Sequence, residues 1–126
     1  MSTPKEILVI DDEPDICQLL ADILTSQGHN VTCASDGLQG LNELSKKKYD
    51  MAVTDMLMPE HDGIEFIRAA QKKHPEVRLV AISGGGHIPG ASYLSIAKGF
   101  GVKAIVEKPF DVESILTVIN PMFAVS

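Results

Sequence analysis

Ile7-Leu8-Val9-Ile10-Asp11-Asp12-Glu13-Pro14 is the stretch on which the fold of this chain turns. Four apolar residues in succession suit a strand buried on both faces, as in a parallel sheet covered by helices. The run breaks on two carboxylates, and a proline follows where a helix tolerates one, in its first turn. Beyond it Ile16, Leu19, Leu20, Ile23 and Leu24 form one apolar stripe of a helix that ends at Gly28.

The same strand-then-helix phrase recurs along the chain. Asn30-Val-Thr-Cys-Ala34 reads as a second strand, followed by a helix marked by Leu38, Leu41 and Leu44. Met51-Ala-Val-Thr54 is a third strand and delivers Asp55. Asp62-Gly63 opens a helix with Ile64, Ile67 and Ala70 on one face and Phe66 beside them, ending before Pro75. Arg78-Leu-Val-Ala-Ile82 is a fourth strand that delivers Ser83 into Gly84-Gly85-Gly86. A fourth helix is expected from about Pro89 or Gly90, carrying Tyr93, Leu94, Ile96 and Ala97 and stopping at Gly99. Lys103-Ala-Ile-Val-Glu107 is a fifth strand leading to Lys108-Pro109. Asp111 is a good N-cap for a last helix with Ile115, Leu116, Val118, Ile119 and Met122 as its apolar positions. Five such units predict an α/β fold with a parallel sheet covered on both faces. Residues 1–126 read as a single domain with a core spanning 5–123, without an internal linker. Pattern alone leaves the strand order open.

Composition narrows the function. The chain has 126 residues, enough for one domain with a proper core. Its hydrophobic share of 44% against 22% charged is that of a globular protein rather than a disordered segment. A net charge of −6 argues against direct nucleic-acid binding, because phosphate backbones are held mainly by Lys and Arg. The polar start Met1–Glu6 lacks the apolar stretch of a signal peptide, and no apolar run suffices for membrane insertion. These features predict a cytoplasmic protein. Cys17 and Cys33 are expected to be small buried apolar residues in a reducing compartment. His29, His61, His74 and His87 are scattered without metal-ligand spacing.

The chemistry gathers at one end of the sheet. In an open parallel sheet, ligands bind beyond the carboxyl ends of the strands. Asp11 and Asp12 follow the first strand, Asp55 the third, Ser83 the fourth and Lys108 the fifth. Taken singly, each has a plain structural reading: helix cap, turn residue, loop serine, surface lysine. Their placement at the same end of different strands favours a site. Clustered carboxylates repel and need a cation, and hard oxygen donors suit Mg²⁺. An ionised Asp55 is a competent nucleophile toward phosphorus, with Lys108 and Ser83 available for the phosphoryl oxygens. The Gly84–Gly86 run lacks the GxxxxGK[ST] and GxGxxG patterns, so it reads as a loop that admits a ligand.

In this order the motifs resemble the response-regulator receiver domains of two-component signalling over essentially the whole chain. They are Ile7-Leu-Val-Ile-Asp-Asp-Glu-Pro14, Val53-Thr-Asp-Met-Leu-Met-Pro-Glu-His-Asp-Gly63, Ala81-Ile-Ser-Gly84 and Val106-Glu-Lys-Pro-Phe110. The resemblance implies a flavodoxin-like (βα)5 three-layer sandwich with strand order 2-1-3-4-5. It implies phosphorylation of Asp55 by a histidine kinase or phosphotransfer protein. Mg²⁺ would be held by Asp12, Asp55 and the Leu57 backbone carbonyl, with Asp11 acting through water. Ser83 and Lys108 would contact the phosphoryl group, and Pro109 would follow a cis peptide bond.

A downstream protein effector, or a dimer through the fourth helix, fifth strand and fifth helix, would read the signal. The family's switch position, usually Tyr or Phe, is Ile105 here, and Gly84–Gly90 is a few residues longer than usual and expected to be mobile. The chain reads either as a complete stand-alone receiver or as part of a larger regulator. Three other readings compete: a receiver-like module that binds without phosphorylation, an aspartyl-phosphate phosphohydrolase and a flavin carrier. The hydrolase wants a second Asp two residues beyond the nucleophile, where Leu57 stands. The flavin carrier wants aromatic side chains at the strand rim, and the chain has only four Phe and two Tyr.

Overall fold

The structure is a computed structural model and describes residues 4–56, 63–83, 101–107 and 110–124. The strands are β1 (Glu6–Ile10), β2 (Asn30–Ala34), β3 (Met51–Asp55), β4 (Arg78–Ser83) and β5 (Ala104–Glu107). Between and after them lie α1 (Pro14–Ser26), α2 (Gly37–Lys46), α3 (Gly63–Lys73) and α4 (Val112–Ala124). The fourth helix expected near 90–99 lies outside the described residues, so α4 is the helix that Asp111 caps. All strand pairs are parallel, in the order β2-β1-β3-β4-β5.

Side-chain alternation along β1 feeds both layers. Ile7 and Val9 join Met51, Val53, Val80 and Ile82 under Leu20, Ile23 and Leu24 of α1 and Ile115 and Ile119 of α4. Leu8 and Ile10 turn the other way, with Ala52, Leu79 and Ala81, against Leu44 of α2 and Phe66, Ile67 and Ala70 of α3. This explains the uninterrupted apolar runs of β1 and β3, which have no wet face for polar residues. At Gly40 the fit is tight: a Cβ there would stand 2.7 Å from Ile10 Cδ1 and 2.9 Å from Phe66 Cε1. A side chain there would force Ile10, Phe66 or α2 itself to shift.

The ends of the helices follow from local chemistry. Gly28, at φ 91°, accepts the left-handed turn that stops α1. Its N–H bonds to Thr25 O at 2.9 Å and the His29 N–H to Leu24 O at 3.3 Å, the paired closure that such a glycine permits. Asp36 caps α2 by accepting the Gln39 N–H at 2.8 Å, and Asp111 caps α4 by accepting the Ser114 N–H at 2.8 Å.

Three expectations need correction. Leu19 and Leu38 are 41% and 60% exposed, not core, because the covered stripe of each helix is narrower than its apolar spacing suggests. Cys33 is exposed rather than buried, since β2 is the sheet edge and α1 covers it incompletely. The cap residue of α1 is Glu13, which makes no side-chain capping bond. Asp11 Oδ1 instead accepts the Glu13 N–H at 2.9 Å.

Candidate functional site

Strand order and register bring the acidic residues together. β1 and β3 are neighbours with Ile10 opposite Thr54, so the next residues along each, Asp11 and Asp55, emerge side by side. Adjacent strands lie roughly 4.8 Å apart. Carboxylate oxygens of Asp11, Asp12 and Asp55 all fall within 4.8 Å of one another. Asp11 and Asp55 are 1% and 4% exposed, whereas Asp12 is open to solvent. Among the described residues this is the one group of three His, Cys, Asp or Glu side chains that offers a metal-binding arrangement.

The backbone holds both buried carboxylates in place. The Asp11 N–H extends the β1–β2 ladder to Ala34 O at 3.1 Å, and the Thr54 hydroxyl donates to Asp55 O at 3.1 Å. Beyond Asp55, the Met56 N–H donates to Ile82 O at 2.9 Å and the Gly63 N–H returns to Met56 O at 3.2 Å. Sequence reasoning gave Gly63 no role beyond opening a helix. Here α3 starts so close to the end of β3 that a Cβ on Gly63 would overlap the Asp55 carbonyl oxygen and stand 2.7 Å from Met56 Cα. A glycine inside the first turn of a helix, where it costs backbone entropy, was the available signal.

The donor set fits a hard divalent cation. Mg²⁺ prefers oxygen donors, typically one or two carboxylates completed by water. The Asp11, Asp12 and Asp55 oxygens would supply such donors, and a cation held there would offset their mutual repulsion. Beside the carboxylates lies a cleft of about 300 Å³ lined by Asp11, Asp12, Cys17, Gln18, Cys33 and Gln39 among others. Burial pushes the Cys17 thiol up to about 12, with the neighbouring Cys33 as the next cause.

The remaining site residues stand as follows. β4 ends at Ser83, opposite Glu107 of β5, the residue before Lys108. The Ser83 side chain, Leu57, Lys108, Pro109 and the Gly84–Gly90 segment lie outside the described residues. Ile105 is half-buried and packs against the α2–α3 side of the core. Tyr49 precedes β3, at the opposite edge of the sheet from Asp55, and its buried ring leaves the hydroxyl bonded to Glu43 Oε1 at 2.9 Å. It has no place in a flavin sandwich at the carboxyl edge.

Residues 7–120 match the family described as the response regulator receiver domain. The chain belongs to that family. The receiver is 32% identical over 117 residues to the transcriptional regulatory protein GlrR of Escherichia coli K12, covering 93% of this chain and 26% of that protein. It therefore spans about a quarter of that regulator's length. It is 28% identical to the sporulation initiation phosphotransferase F of Bacillus subtilis, over 88% of this chain and 87% of that one. Among solved structures, the receiver domain of NtrX from Brucella abortus superposes with a TM-score of 0.87 at 30% identity, covering 95% of this chain and 99% of the other. The receiver is a signalling domain with the flavodoxin-like order 2-1-3-4-5. Among the described residues no helix is long and apolar enough to cross a membrane.

Proposed function

We propose that this receiver, one domain over residues 5–123, accepts a phosphoryl group on Asp55 in a Mg²⁺-dependent reaction in the cytoplasm. The observation that carries the reading is the meeting of three carboxylates at the ends of β1 and β3, two of them buried. Asp12 and Asp55, with the Leu57 carbonyl, would hold the cation, and Asp11 would reach it through water. The bound cation would offset charge on the carboxylates and on the incoming phosphoryl oxygens. An Asp55 oxygen attacks phosphorus, and the P–N bond of a kinase or phosphotransfer-protein phosphohistidine breaks, its electron pair staying on the imidazole. Lys108 neutralises a second phosphoryl oxygen and the Ser83 hydroxyl donates to another. The Lys108–Pro109 bond would be cis.

The product is a signal read by protein contact with a downstream effector, or by a dimer through α4, β5 and the helix expected before it. The domain is not an enzyme in its own right. Ile105 is aliphatic and packs against the α2–α3 core, so a swinging aromatic ring is not the readout. Incubation with acetyl phosphate and Mg²⁺, followed by intact mass, tests the proposal. One phosphoryl mass should be gained by the wild type and not by Asp55→Asn. No gain at any Mg²⁺ concentration, or an equal gain in the variant, overturns it.

A further inference from the structure

Cys17 and Cys33 are far apart in sequence but meet across the α1–β2 contact. Cys33 lies opposite Val9 in the β1–β2 ladder, and Val9 is buried in the layer that α1 covers, so its side chain turns toward α1. Its Sγ approaches the Cys17 backbone O at 3.6 Å, while Cys17 Sγ approaches Ala34 O at 3.7 Å and Asp11 O at 3.5 Å. Both thiols line the cleft beside the acidic cluster. One is exposed and the other buried, which is the division of labour between an oxidant-accessible thiol and a resolving one.

We propose that Cys17 and Cys33 form a reversible disulfide, a modification site separate from the phosphoryl acceptor. The oxidant is a hydroperoxide small enough for a cleft of about 300 Å³. The Cys33 thiolate attacks the terminal peroxide oxygen, the O–O bond breaks, and the departing alkoxide or hydroxide takes up a proton. Cys33 is now a sulfenic acid, oxidised by two electrons. Cys17 Sγ then attacks the Cys33 sulfur, its proton leaves with the hydroxyl as water, and the S–S bond closes. A low-molecular-weight thiol reverses the bond by exchange. Each sulfur already lies against the other element's backbone, Cys33 Sγ at Cys17 O and Cys17 Sγ at Ala34 O, so the two side chains start on facing sides of one contact. The bridge removes the Cys17 S–H that faces the Asp11 carbonyl, one residue before Asp12.

The reduced full chain is titrated with hydrogen peroxide, denatured in N-ethylmaleimide and weighed intact without reductant. Expected is a monomer lighter by two hydrogens and carrying no maleimide, returned to two adducts by prior dithiothreitol. Two adducts at every dose, oxygen addition on Cys33 without bridging, or a disulfide-linked dimer overturns the proposal. Cys33→Ser, at an exposed position, should keep Cys17 alkylatable after the same treatment. Cys17→Ser should leave a Cys33 sulfenic acid that dimedone traps. Should the buried variant not fold, Cys33→Ser and the wild type decide. The bridge assay needs no phosphorylation, so its failure is distinct from failure of the Asp55 proposal. Only the consequence, a changed rate of phosphoryl gain from acetyl phosphate in the bridged form, depends on both.

Discussion

Replacing Asp55 with Asn should make the metal-free protein more stable, although it removes the residue proposed to accept the phosphoryl group. Asp11 and Asp55 are both buried and their oxygens lie within 4.8 Å of each other. At that separation and an effective dielectric near 20, two unit charges repel by about 3.5 kcal/mol. The exposed Asp12 adds about 1 kcal/mol when its pair is screened as in bulk water. Against this stand the interactions Asp55 already makes, whose loss from a charged acceptor costs about 1.5–3 kcal/mol. The net gain for Asp55→Asn is about 1–3 kcal/mol, read as a higher urea midpoint in EDTA at unchanged m-value. Mg²⁺ should erase most of this gain or reverse it, because a cation at a hundred times its Kd stabilises the wild type by about 2.7 kcal/mol. An Asn variant no more stable than the wild type in EDTA would refute the charge-repulsion argument. Equal stabilisation of both proteins by Mg²⁺ would refute the assignment of Asp55 as a ligand.

Gly63→Ala forces a Cβ onto the Asp55 carbonyl and Met56 Cα and should destabilise by about 1–3 kcal/mol, with slower phosphoryl gain from acetyl phosphate; urea unfolding and intact mass check both. His29 is buried and its Nδ1 accepts the Lys5 N–H at 3.1 Å, which requires the neutral ring. Burial lowers its pKa below the usual 6.5, so the unfolded chain takes up the proton first. Stability from this site is therefore full above pH 6.5 and falls as pH drops toward the lowered folded value. Melting temperatures between pH 7.5 and pH 5 should show a loss that His29→Asn reduces. Asp111→Ala removes the cap of α4 and should cost about 1 kcal/mol, measured by denaturant unfolding, whereas Asp111→Asn should cost far less.

Much of the fold was legible in order along the chain. The unbroken apolar runs at Ile7–Ile10 and Met51–Val53 specified strands covered on both faces, and Gly28 and Asp111 marked helix ends by backbone chemistry that acts over a few residues. The motifs around Asp11, Asp55, Ser83 and Lys108, taken in order, named the family. Register was not legible. Placing Asp11 beside Asp55 depends on β1 pairing with β3, a contact between residues 44 apart that no local pattern encodes and that only the family resemblance supplied in advance. Layer assignment was equally hidden: periodicity made Leu19 and Leu38 look like core, and only the width of the covered stripe excluded them. The requirement for glycine at position 63 arises from how closely α3 approaches the end of β3. The pairing of Cys17 with Cys33 depends on α1 lying over the edge strand. Sequence determined the elements and the chemical types, because capping, turning and burial periodicity are short-range. Tertiary structure decided which of those residues touch, because packing brings together groups whose separation along the chain carries no information about their separation in space.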